Sequence, residues 1–426
     1  MKTKYKVRIA DALLSRKLEG KGAVLIEGAK WCGKTTTAEQ QAQSIVYMTD
    51  PEKSYQYLSM VELNPKTLLD GKTPRLFDEW QIAPKLWDAI RFEVDHRDDL
   101  GQFILTGSAV PPETEEIHHT GTGRFARVKM RPMSLFESED SNGSVSLTEL
   151  FSGKLDISGS SDLPFEKLAF LVCRGGWPRA TSMCDSTALE QAFDYYDAVV
   201  NADISRVDNI ERNAERVKLL MRSYARHQGT QASNSVIKDD MRVNDHSTLN
   251  EDTVYSYISA LKKIFVIEDM PSWNPNLRSK TAIRTSDTRY FVDPSIATAA
   301  LGLGPNDLLN DLNTFGLFFE TMCIRDLRIF ADALNGQVYH YRDASGLECD
   351  AVIHLRNGAY GLIEIKLGGD SLIKEGAETL NALAEQIDTT RMKSPAFKMI
   401  LTATGEYAYR RPEDGIYVIP IGCLKP

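Results

Sequence analysis

No two cysteines in the chain are spaced as CxxC, no stretch approaches the roughly 18 uninterrupted apolar residues of a membrane helix, and positive charge is not in excess. Each absence removes a class of protein. The six cysteines, at 32, 173, 184, 323, 349 and 423, share no short repeated spacing. That excludes a zinc ribbon or a disulfide-knit scaffold and fits reduced thiols in a cytoplasm. The basic opening MKTKYKVRIADALLSRKL lacks the apolar core of a signal peptide, so the expected location is cytoplasmic, with no membrane partner. A net charge of −9 argues against coating nucleic acid through bulk charge, although a local basic face remains open. No internal repeat marks a solenoid.

What is present is the composition of a globular protein, 42% hydrophobic and 26% charged over 426 residues. At about 150 residues per domain the length implies two to four domains. Residues 5–19 have the pattern of an amphipathic helix. GAVLIEG (22–28), SIVYMTD (44–50), TPRLFDE (73–79) and GQFILTGS (101–108) are short apolar strands separated by helical stretches such as KLWDAIRFEVDHR. Strands alternating with helices imply an α/β fold with a mainly parallel sheet covered on both faces. SEDSNGSVS and DISGSSDLP, between about 140 and 162, form a polar Gly/Ser-rich break. The expected division is 1–140 for a P-loop domain, 141–212 for linker and helices, 213–305 for a winged-helix-like domain and 306–426 for a nuclease-like domain.

GAKWCGKT at 28–35 matches G-x-x-x-x-G-K-T and lies between an expected strand and helix, where that motif cradles phosphates. Gly28 and Gly33 let the backbone wrap closely. Ala29, Lys30, Trp31, Cys32 and Thr36 complete the cofactor-binding stretch. Lys34 reaches the β and γ phosphates of ATP, and the Thr35 hydroxyl holds Mg2+. The strand PRLFDEWQ ends in paired acids, with Asp78 expected on magnesium's water shell and Glu79 polarising the attacking water. FILTGS places Thr106 or Ser108 as a polar sensor, and Arg124 or Arg127 is a candidate for neutralising charge in phosphoryl transfer. The plain alternatives are a tight glycine turn, an acid pair capping a strand, and, for Arg124, an ordinary salt bridge. A small-molecule kinase is a further option, disfavoured by Glu79 beside Asp78 and by the lack of an evident lid.

GAKWCGKT, LFDEWQ, ILTGSA, GR followed by MRPMSLFE, and GGWP (175–178) together resemble the prokaryotic AAA+-related ATPases that carry a C-terminal domain of unknown function. The resemblance runs over nearly the whole chain. It implies a P-loop domain, a helical and winged-helix middle and a restriction-endonuclease-like C-terminal fold. Trp80 departs from the aliphatic residue common at its position.

In the middle region AERVKLLMRSYARHQ and NEDTVYSYISALKKIFVIED have helical periodicity, with SVIKDDM between them, as in a helix-turn-helix pair. WNPNLRSKTAIRTSDTRYFVD follows as a turn-rich hairpin whose Arg278, Lys280, Arg284 and Arg289 face one acid, Asp287. Such a wing suits DNA phosphates. A solvated hairpin or a packing surface is the alternative.

ECDAVIHLRNGAYGLIEIKLGG (348–369) is expected to form a hairpin around Asn357-Gly358. Ala351, Ile353 and Leu355 share one apolar face with Ile363, Ile365 and Leu367, so Asp350, Glu364 and Lys366 share the other, with Glu348 beside them. Setting Ile353 opposite Ile363 places Asp350 opposite Lys366, and keeping these faces requires a three-residue loop or a bulge at Gly358. Asp-x13-Glu-x-Lys on one face resembles the active centre of the PD-(D/E)xK nuclease fold. Asp350 and Glu364 would hold Mg2+, Lys366 would orient the nucleophile, and Glu320 in FGLFFETMCIRDLRIF would be the additional acid. The alternative is a strand whose lysine merely pairs with neighbouring acids. The expected function is an ATPase whose nucleotide state controls a DNA-facing winged helix and nuclease-like region. The alternative is an ATP-dependent regulatory or scaffold protein binding another protein; homo-oligomers fit either.

Overall fold

The computed structural model describes residues 4–108, 121–154, 156–206, 210–242, 249–275 and 286–426. The chain divides into two compact units. The first comprises Met1–Pro132, Ala202–Glu211 and Ala260–Phe265; the second comprises Met133–Asn201, Arg212–Ser259 and Val266–Pro426.

The first unit is built on β1 (Ala23–Glu27), β2 (Ser44–Tyr47), β3 (Arg75–Asp78), β4 (Phe103–Gly107) and β5 (Phe125–Lys129). They form one sheet in the order β2-β3-β4-β1-β5, every pairing parallel. Neighbouring residues on β1 point to opposite faces, and both faces are apolar. Ala23 and Leu25 pack with Leu86, Trp87 and Ile90 of helix Lys85–Arg97. Val24 and Ile26 pack with Ala10, Leu14 and Leu18 of helix Ile9–Leu18. Burial on both sides explains why these strands are continuous apolar runs rather than alternating ones. Register fixes the working end. Ile26 is level with Thr106, and Asp78 is level with Thr106, so the segments leaving β1, β3 and β4 emerge together.

The second unit contains β6 (Val145–Ser146), β7 (Gly159–Ser160), β8 (Gly336–Arg342), β9 (Glu348–Leu355), β10 (Tyr360–Lys366), β11 (Phe397–Thr402), β12 (Tyr407–Arg410), β13 (Tyr417–Pro420) and β14 (Leu424–Lys425). A seven-stranded mixed sheet runs β7-β12-β13-β11-β10-β9-β8, and β14 pairs with β6. The Gly/Ser-rich stretch expected as linker is therefore knitted to the end of the chain. Val145 pairs with Leu424, Ser160 with Tyr407, and the Ser141 hydroxyl donates to the Leu424 carbonyl at 2.8 Å. Composition marked a break, but short serine-rich strands on a sheet edge have the same composition.

The middle region holds helices Ala214–Arg226, Asn234–Arg242 and Glu251–Lys263, followed by antiparallel bridges Ile267 to Phe291 and Met270 to Thr288. Arg278, Lys280 and Arg284 lie outside the described residues. Arg289, grouped with them as a free cation, is instead engaged: it donates to Asp269 at 2.9 Å, Asn234 at 2.9 Å and the Ala232 carbonyl at 3.0 Å. Counting local charge missed Asp269, which lies 20 residues earlier in the chain.

Candidate nucleotide site and C-terminal acid cluster

The glycine loop follows β1 and enters helix Lys34–Glu39 through Gly33, whose φ of 99° is left-handed. A side chain there would be strained. Gly28 is required for a different reason: a Cβ would meet the Met130 carbonyl oxygen at 2.0 Å. The loop is also braced from behind. The buried Arg8 guanidinium donates to the Cys32 carbonyl and to the Arg131 carbonyl, each at 2.8 Å. Lys34 folds its ammonium onto the carbonyls of Gly28 (2.9 Å) and Ala29 (2.8 Å). Trp31 is half-exposed at φ 64°, and Lys30 pairs with the buried Asp203 carboxylate at 2.5 Å.

Asp78 Oδ1 accepts from both the Thr35 and the Thr106 hydroxyls, each at 2.6 Å. Glu79 adopts φ 54°, which costs a non-glycine residue on the order of 1 kcal/mol. Its carboxylate accepts from Ser108 Oγ at 3.1 and 3.2 Å and from Gln81 Nε2. Thr35, Asp78 and Thr106 thus form one hydrogen-bonded set, and Glu79, Ser108 and Gln81 form a second, adjacent in the chain. The hard oxygens of Thr35 and Asp78 are chemically suited to Mg2+.

Arg124 joins neither set. It precedes β5, whose first residue Phe125 pairs with Ala23 at the start of β1, so it sits at the end of the sheet opposite the loop. There it donates to Asp95 at 2.8 Å. Arg127 pairs with Glu27 at 3.1 Å. Spacing in sequence gave Arg124 no end of the strand; the parallel register does, and it sets Arg127 mid-strand, level with Leu25.

The C-terminal acids come together with one change of register. Ile353 faces Gly361 and Ala351 faces Ile363, two residues from the expected pairing. The loop is Arg356-Asn357-Gly358, closed by Leu355 N–H to the Ala359 carbonyl at 2.8 Å, with Gly358 at φ 86°. A shift of two preserves the faces, because side chains alternate with period two. Its effect is to set Asp350 beside Glu364 rather than opposite Lys366. Asp350 N–H donates to Glu364 Oε1 at 3.4 Å, and Ile365 N–H donates to Asp350 Oδ2 at 2.7 Å. Lys366 Nζ lies 2.8 Å from Glu364 and 3.9 Å from Asp350.

Helix Asp370–Gln386 covers this face, approaching so closely at Gly376 that a Cβ would stand 3.4 Å from Glu364 and 3.5 Å from the Lys366 side chain. Glu320, on helix Leu312–Ala333, accepts from the Tyr290 hydroxyl. Burial and the nearby Asp350 raise the Glu320 carboxyl to about 8. Burial and Asp350 likewise raise Glu364 to about 8, and burial raises Asp350. Burial opposes the Lys366 charge, but Asp350 and Glu364 outweigh it and hold the ammonium protonated. The Lys366 charge lowers all three carboxyls, but burial outweighs it. Among the described residues, no three His, Cys, Asp or Glu side chains are grouped to hold a metal ion. Glu348 turns away to Arg342 at 2.9 Å.

Three family models match separate parts of the chain. Residues 20–139 match one described as an AAA domain, residues 165–307 a domain of unknown function (DUF8612), and residues 315–424 another domain of unknown function (DUF4143). The first likeness supports nucleotide binding at the glycine loop. No curated protein matches the chain. Among solved structures, the Walker-type ATPase PABY2304 of Pyrococcus abyssi is 16% identical with a TM-score of 0.41, the match covering 70% of this chain and 96% of that one. A DNA replication initiation factor is 13% identical with a TM-score of 0.29, covering 60% and 94%. Scores below 0.5 do not establish a shared fold. No helix among the described residues is long and apolar enough to cross a membrane.

Sequence reasoning named the loop and both acids but assigned nothing to Arg8 or Asp203. Arg8 acts on carbonyls 24 and 123 residues away, and Asp203 on a lysine 173 residues away. Neither leaves a local pattern.

Proposed function

We propose that the protein binds ATP with Mg2+ at residues 28–36 and hydrolyses it. The observation that carries this reading is Asp78 Oδ1 gathering the hydroxyls of Thr35 and Thr106 at 2.6 Å, with Glu79 adjacent. A bound Mg2+ would supply charge neutralisation on the phosphate oxygens. The chain's own groups do the rest. Lys34 would leave its carbonyl partners for the β and γ phosphates, and Thr35 and Asp78 would hold the metal. Glu79 accepts a proton from water, and Ser108 fixes the carboxylate that does so. The test is ATP hydrolysis with Glu79→Gln, which should keep nucleotide binding and lower kcat about a hundredfold. Unchanged turnover would remove Glu79 from the reaction.

The same reading extends to a nucleotide state that controls a DNA-facing winged helix and a nuclease-like C-terminal region. Its support is the single face shared by Asp350, Glu364 and Lys366, with Glu320 as fourth member. A second reading, a non-cleaving regulatory or scaffold protein that binds another protein, is favoured by the acids being buried, proton-loaded and covered by helix Asp370–Gln386. Nicking of duplex DNA with Mg2+ or Mn2+, abolished in Lys366→Ala, would support cleavage; no nicking by the unaltered chain would support the scaffold.

A further inference from the structure

The ATPase reading leaves one polar atom of the nucleotide site without a role. Gln81 begins two residues after Glu79, in the short 3-10 turn Trp80–Ile82, and its Nε2 donates to Glu79 Oε2. A carboxylate only accepts, so this contact fixes which end of the amide is nitrogen. The other end, Oε1, is buried and has no hydrogen-bond partner among the described residues. A buried carbonyl oxygen left unpaired costs about 1–3 kcal/mol, which makes its retention at this place informative.

The surroundings of Oε1 narrow what it accepts from. It lies against Gly107, the last residue of β4, where an added Cβ would meet it at 2.9 Å. Gly107 stands between Thr106, whose hydroxyl is on Asp78, and Ser108, whose hydroxyl is on Glu79. The Oε1 atom is thus beside the end of β4, on the face that a Gly107 side chain would fill, and one amide group away from the Glu79 carboxylate that would handle water. Trp80, buried beside it and 5.0 Å from the Trp87 ring, anchors the turn.

We propose that Gln81 is a further catalytic residue of the ATPase and that its Oε1 accepts one O–H of the attacking water while Glu79 takes the other. Two acceptors on one water fix the direction of its lone pair, the task performed by the water-orienting glutamine of many GTPases. In the step itself the water oxygen forms a bond to the γ phosphorus, and the bond from that phosphorus to the bridging oxygen breaks. The electron pair leaves with ADP, and the water proton passes to Glu79. Gln81 neither gains nor loses a proton.

This inference rests on the ATPase reading, and two measurements separate their failures. Binding of ADP with Mg2+ and steady-state ATP hydrolysis are compared for the unaltered chain, Gln81→Met and Gln81→Lys. Methionine keeps the length and removes both hydrogen-bonding atoms; lysine keeps a donor for Glu79 and removes the acceptor. Gln81→Met should lower kcat about tenfold to a hundredfold with KM and ADP affinity within about twofold, and Gln81→Lys should not restore it. Retained ADP affinity establishes that the variants fold. Recovery of kcat in Gln81→Lys would mean that Gln81 only props Glu79, and unchanged kcat in Gln81→Met would remove it from the reaction altogether; either result overturns the proposal. Absence of hydrolysis by the unaltered chain would instead overturn the ATPase reading, and the proposal with it.

Discussion

Each unit of the protein sets a lysine near two carboxylates, and the two arrangements treat the lysine's charge in opposite ways. At the glycine loop Lys34 rests on neutral carbonyls, while Asp78 and Glu79 are occupied by hydroxyls and an amide. In the C-terminal sheet Lys366 is already paired with Glu364 at 2.8 Å, and acids outnumber it. A cation held by dipoles remains available to an anionic ligand; one neutralised by buried carboxylates does not, because removing it leaves those charges uncompensated. The first geometry is suited to receiving a polyphosphate. The second is a closed cluster whose opening requires proton loss or movement of the covering helix.

The largest expected effect tests the open half. Lys34→Ala should lower ATP turnover about a hundredfold or more, since it removes the cation proposed to meet the β and γ phosphates. The buried carbonyls of Gly28 and Ala29 also lose their donor, at a cost to stability of about 1–3 kcal/mol, so ADP binding by the variant is measured beside turnover. Unaltered hydrolysis by this variant would end the contrast, for then neither lysine would be acting on phosphate.

The closed half makes a smaller and differently signed prediction. Glu320 carries a carboxyl raised to about 8 from an ordinary 4.5 by burial and by Asp350. Between those values the folded chain holds a proton that the unfolded chain releases. The stability it contributes is therefore present at acid pH and lost as pH climbs from about 4.5 through about 8. Glu320→Gln keeps an acceptor for Tyr290 but cannot ionise. Thermal unfolding should show the variant near the unaltered chain at acid pH and more stable above pH 8, by on the order of 2 kcal/mol. Equal pH dependence in both would mean that Glu320 is ionised in the fold, and the cluster would then be open to a cation.

The contrast also explains what was legible in the sequence. GAKWCGKT is contiguous, and its glycines are needed by local backbone geometry, so pattern alone located it. The acid pair at 78–79 follows from a strand end. The C-terminal face was legible by parity: a hairpin register off by two still brings Asp350, Glu364 and Lys366 together, whereas an error of one would have dispersed them. What sequence could not supply was cover and partners. Helix Asp370–Gln386 over the acids, Asp269 beneath Arg289 and Asp203 beside Lys30 are contacts between distant segments, and no local periodicity encodes them. The Gly/Ser-rich stretch near 145 was misleading because edge strands and linkers draw on the same small polar residues.

Arg124 gives the smallest expected effect and tests where the open site ends. The parallel register holds it at the far end of β5, half-exposed on Asp95. Exposed pairs of this kind contribute little, so Arg124→Ala should leave kcat within about twofold and the unfolding temperature nearly unchanged. A large loss of turnover would carry a specific meaning. The residue cannot reach its own loop from that end of the sheet, so the arginine would have to serve the loop of a second copy, and turnover would then rise with protein concentration. A small effect, independent of concentration, leaves the site complete within one chain, with Lys34 as the cation kept for phosphate.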